Sequence, residues 1–103
     1  MSYVEAYLLC PNQPAERLVF DRDRLDDELS SLLRCDGDDM TRLPLDASTL
    51  YMRRSVQQSA TPINEAASFG AKRALGHPIA LRGDVVVIHN EAAVVEKRLR
   101  ERS

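Results

Sequence analysis

The chain has 103 residues, 44% of them apolar and 29% charged, with a formal net charge of −2. That length suits one domain and is too short for two. The balance excludes a disordered chain, and the near-neutral charge argues neither for a nucleic-acid binder nor for an acidic decoy.

The first segment alternates: Val4, Ala6, Leu8 and Cys10 against Tyr3, Glu5, Tyr7 and Leu9. Period two predicts a strand. Pro11-Asn12-Gln13-Pro14 is a turn cluster, and Arg17–Phe20 reads as a second strand, so residues 3–20 form a hairpin. Asp21 or Asp23 caps the helix that follows. Leu25, Leu29, Leu32 and Leu33 give it an apolar stripe, while Asp26, Asp27 and Glu28 suit its first turns. Asp36-Gly37-Asp38-Asp39 ends it, with Gly37 suited to a left-handed terminus or a tight turn. These aspartates lack the remaining ligands and the later Glu of a calcium loop.

Met40–Leu45 predicts a third strand, placed near an edge by Pro44. Thr49–Val56 alternates again, with Leu50, Met52 and Val56 on one face. Thr61-Pro62 opens a second helix, Asn64 being the alternative cap; the helix is rich in small residues and stops at Gly76. Arg82-Gly83-Asp84 is a turn. Val85-Val86-Val87-Ile88 reads as a central strand buried on both faces. Asn90 caps a charged C-terminal helix over residues 90–103, whose end frays.

The expected fold is thus a single α+β domain over residues 1–103. Its order is β-β-α-β-β-α-β-α, with a mixed or antiparallel sheet and helices mainly on one side. Tyr3–Cys10 contains Glu5 and lacks the basic flank of a signal peptide. No segment approaches the roughly 20 apolar residues of a membrane helix. A cytoplasmic protein with reduced Cys10 and Cys35 is expected.

Chemistry is sparse. His77 and His89 have no neighbouring nucleophile in sequence, and paired metal-ligand spacings are missing. The four glycines form no phosphate-cradling loop. Neither catalysis, a metal nor a cofactor is expected.

One constellation points to an anion. Arg53 and Arg54 close a strand, Gln57, Gln58, Ser59 and Thr61 follow in a polar loop, and a helix begins near Asn64. Basic groups, hydroxyls and helix N–H groups together suit phosphate. Arg82, Lys72 and Arg73 add charge if the fold brings them near. Charge is also uneven: residues 1–51 hold five basic and eleven acidic side chains, and residues 52–103 nine and five.

Two segments carry a resemblance. Pro62-Ile63-Asn64-Glu65-Ala66-Ala67-Ser68 resembles a Pro-x-Asn-x-x-Ala-[Ser/Thr] motif, and Gly83-Asp84-Val85-Val86-Val87 resembles the closing strand that follows it. With the opening strand and the Leu-rich helix, the order is similar to a family catalogued only as a domain of unknown function. Its members are small proteins of phages, plasmids and bacteria. The resemblance covers residues 4–88, departs from the family in the charged segment after residue 89, and implies a mobile-element setting without an activity.

The leading expectation is a non-enzymatic binding protein that holds an anionic small ligand such as a nucleotide and assembles as a dimer. The first alternative is an inhibitor or adaptor acting on a host protein. The second is a nucleic-acid binder using the basic C-terminal half, although that half lacks stacking aromatics.

Overall fold

A computed structural model describes residues 3–89. Five strands form one antiparallel sheet: β1 (Tyr3–Leu9), β2 (Glu16–Asp21), β3 (Met40–Pro44), β4 (Ser48–Arg53) and β5 (Val85–His89). Their spatial order is β2-β1-β5-β4-β3. Two helices, α1 (Leu25–Leu33) and α2 (Glu65–Leu75), complete the architecture. The chain is an α+β protein with the expected succession of elements. The helix expected over residues 90–103 lies outside the described residues.

The β1–β2 turn shows why its residues are there. Pro11 occupies the second position, Asn12 takes φ 61°, and Gln13 N–H closes on Cys10 C=O at 3.2 Å. Asn tolerates that left-handed geometry better than most side chains.

β5 sits at the centre, antiparallel to β1 on one side and β4 on the other. Its side chains alternate between two cores. Val86 and Ile88 join Ala6, Phe20, Leu29 and Leu33, the last two from α1. Val85 joins Leu50, Met52, Leu81, Ala67 and Ala71, the last two from α2. The helices therefore lie on opposite faces, each with its own core, where a one-sided arrangement was expected. The physical reason is β5 itself: a strand apolar on both faces has to be covered on both.

Other differences are local. The left-handed terminus of α1 is Arg34, at φ 55°, whereas Gly37 sits in a 3₁₀ turn over Gly37–Asp39. β4 stops at Arg53, and Val56 falls in a 3₁₀ turn over Ser55–Gln58 rather than on the strand. The cap of α2 is Asn64, not Thr61. Residues 61–64 run extended because Ile63 bridges Arg82 and Asn64 N–H donates to Leu81 C=O at 2.7 Å. Asp21 caps the 3₁₀ turn Arg22–Arg24 that leads into α1, accepting from Asp23 N–H, whereas α1 itself starts after Arg24 without a side-chain cap. Gly76 ends α2 at φ 79°, as its position in the sequence indicates.

Candidate functional site

The residues singled out for anion binding do come together, along the segment from Arg53 to Asn64 and against Arg82. The polar side-chain atoms of Gln57, Ser59, Asn64 and Arg82 are turned to the chain's own backbone. Gln57 mimics a strand: its Nε2 donates to Arg82 C=O at 2.9 Å and to Arg53 C=O at 3.1 Å, and its Oε1 accepts from Arg82 N–H at 2.8 Å. Ser59 Oγ donates to Val56 C=O at 2.8 Å. Its single hydrogen is thereby used, so the 2.6 Å contact with Thr61 Oγ1 has Thr61 as donor. Arg82 Nη1 donates to Thr61 C=O at 2.8 Å.

Asn64 is fully buried and joins three segments. Its Oδ1 accepts from Ala67 N–H at 3.1 Å, and its Nδ2 donates to Leu9 C=O at 2.7 Å and Gly83 C=O at 2.9 Å. The N-terminus of α2 is thus plugged by its own cap, which takes the place an anion would occupy. Lys72 and Arg73 belong to the last turn of α2, with Arg73 over the Phe69 ring at 5.9 Å. Arg54 and Gln58 flank this network, Arg54 being exposed.

Arg53 leads elsewhere. Its Nε pairs with Asp39 Oδ2 at 3.3 Å. Asp39 also accepts from Ser55 Oγ at 2.7 Å and Ser55 N–H at 2.9 Å, and its C=O accepts from Arg54 N–H. The two Ser55 bonds, then Arg53, hold the Asp39 carboxyl below its usual range. This aspartate, read in sequence as part of a solvated turn, fixes the end of β4. Arg53 and Asp39 also border an open cavity of about 470 Å³ beside the C-terminal turn of α1, together with Ser30, Ser31, Arg34 and Cys35. Nothing in the sequence marks Arg34 for this place; its left-handed backbone closes α1 locally, with Arg34 N–H donating to Ser31 C=O and Cys35 N–H to Ser30 C=O.

Comparison with family models, curated proteins and solved structures finds no match.

Both cysteines are free thiols. Burial, followed by a hydrogen bond to Asp84 and the nearby Asp84 and Glu16 charges, pushes Cys10 from 9.0 up to about 11. Burial and Asp39 also push Cys35 up, with Arg53 opposing. At pH 8 only roughly one Cys10 in a thousand is thiolate, so alkylation should be far slower than for an unfolded chain. Intact-mass measurement over time checks this, and denaturant should restore ordinary rates. The folded thiol binds its proton more tightly than the unfolded one. This contribution to stability is therefore complete below pH 9 and is lost as pH rises towards about 11.

A second surface was not anticipated. α2 covers the β4–β5 part of its face, through Leu50, Met52 and Val85. The register carries that face on to Tyr3, Glu5 and Tyr7 of β1 and to Arg17, Val19 and Asp21 of β2. Tyr3 and Val19 are each 60% exposed. Glu5 joins the two strands, taking Arg17 Nε at 2.8 Å and the Tyr7 hydroxyl at 3.1 Å. Tyr7 meets His89 edge to face, ring centroids 5.8 Å apart. The signal was present in the alternation of β1, whose second face carries two tyrosines. Among the described residues, no helix is long and apolar enough to cross a membrane.

Proposed function

We propose that this chain is a non-enzymatic binding module that works by protein contact through the open quarter of its sheet, on β1 and β2. One observation carries the reading. α2 covers only part of its face and leaves Tyr3 and Val19 well exposed in one patch beside Tyr7. Large exposed side chains grouped on a rigid sheet are characteristic of contact surfaces, where tyrosine is enriched. A host protein or another copy of the chain is the class of partner that such a patch takes. The motifs over residues 62–68 and 83–87 support a mobile-element setting for it.

A photoreactive phenylalanine analogue at Tyr3 tests this in producing cells. Discrete adducts of higher mass are expected from position 3, and none from a control at exposed His77. Unchanged mass from position 3 would overturn the reading.

A second reading keeps the anionic ligand but moves it. Arg34 and Arg53 border the same cavity as Ser30 and Ser31. Asp36 and Asp39 border it too, with Asp39 holding the Arg53 Nε, so Arg34 and the outer guanidinium nitrogens of Arg53 are the cations this reading uses. A thermal shift with nucleoside phosphates that disappears in both Arg34→Ala and Arg53→Ala would support it. Absence of any shift across mono-, di- and triphosphates would remove it.

A further inference from the structure

We propose that β2 is a docking edge for the β2 strand of a second copy, the two strands running antiparallel about a twofold axis through Val19. This rests on the reading of β1–β2 as the contact surface and names its partner and register.

β2 ends the strand order, so no described strand pairs its outer side. Asp21 N–H donates to Glu28 Oε2 at 2.9 Å, which takes it out of the β1 ladder. Backbone groups alternate sides along an antiparallel strand. The N–H and C=O of Arg17 and Val19 therefore also face outward, and Val19 is a position where two copies can exchange both backbone bonds. The opposite edge, β3, ends in Pro44, which cannot donate to a new ladder.

The side chains fit that register and no neighbouring one as well. Antiparallel pairing centred on Val19 sets Arg17 opposite Asp21 of the second copy, and Asp21 opposite its Arg17. Two opposite-charge pairs result on the face that carries Val19 and Tyr3. On the other face, Leu18 lies opposite Phe20 of the second copy, beside the groove of about 450 Å³ that Phe20 and Leu32 help to line. Shifting the centre by one residue would set Arg17 opposite Val19 or carry it past the end of β2, with no charge compensated within the strand. Arg17 already holds Glu5, but a guanidinium has donors to spare for a second carboxylate. The pairing continues the sheet across both copies and hides an edge that would otherwise invite aggregation.

Sedimentation equilibrium over a concentration series tests the edge. The parent chain is expected to approach twice its 11.6 kDa mass. Val19→Pro removes an outward N–H at an edge position and should weaken association at least about 10-fold. A second test does not depend on that variant folding. Arg17→Asp and Asp21→Arg chains each place like charges opposite one another and should be monomers alone; mixed in equal amounts they should form a heterodimer. A parent chain that stays monomeric overturns the proposal, as does a dimer that survives both charge variants. Cross-links from Tyr3 to a different protein in the same cells would leave the contact surface standing and remove only the second copy.

Discussion

Asn64→Ala is expected to destabilise the protein by about 3–7 kcal/mol. Loss of the cap on Ala67 N–H accounts for about 1 kcal/mol. The larger part comes from Leu9 C=O and Gly83 C=O, each of which loses its Asn64 donor, at about 1–3 kcal/mol per buried group left unpaired. For a domain of this size such a loss lowers Tm by roughly 15 °C or more. Urea unfolding followed by circular dichroism measures it. Asn64→Asp separates the two contributions. It keeps an acceptor for Ala67 but sets a buried carboxylate against two carbonyl oxygens. The folded carboxyl would hold its proton above the ordinary value near 3.9. The variant's stability relative to the parent is therefore greatest below that value and falls as pH rises through the folded one. An Asn64→Ala protein within about 1 kcal/mol of the parent would show that water replaces the lost donors.

Much of the strand pattern was legible because period two survives translation into structure. Tyr3–Cys10 alternates, and Ala6 and Leu8 pack on the α1 side while Tyr7 does not. The Val85–Ile88 run was legible as a central strand. The side on which the helices lie was not, although the same run held the information. Val86 and Ile88 against Val85 and Val87 are two apolar faces, and one layer of helices cannot cover both. Hairpin order alone pointed the other way.

The polar segment failed for a different reason. Ser59, Thr61, Gln57 and Asn64 have the groups that bind phosphate, and the same groups suit any bend whose carbonyls need donors. Arg53, Val56, Thr61 and Arg82 each present a carbonyl there, and every one is taken by a local side chain. Buried backbone groups are nearly always paired. Sequence cannot distinguish a donor offered to a ligand from one owed to the backbone. The Tyr3–Val19 patch escaped notice for the opposite reason: it is made when β1 and β2 pair, bringing together residues 16 positions apart in the chain.

Gly83→Ala is expected to cost about 2–5 kcal/mol, from two separable causes. Gly83 has φ 72°, and a side chain there costs about 1–2 kcal/mol. A Cβ would also lie 2.7 Å from Val56 Cγ1. Relieving that overlap moves the Val56 side chain or the turn that carries it, at about 1–3 kcal/mol. Gly83 has little freedom to shift away: its N–H donates to Pro62 C=O at 3.1 Å and its C=O accepts from Asn64. A double-mutant cycle separates the causes. In a Val56→Ala background the overlap is gone, and Gly83→Ala should then cost only the backbone part. Coupling of about 1 kcal/mol or more between the positions is the expected result. Equal costs in both backgrounds would assign the whole effect to the left-handed backbone. The turn before β5 would then demand glycine for its conformation alone, whatever packs against it.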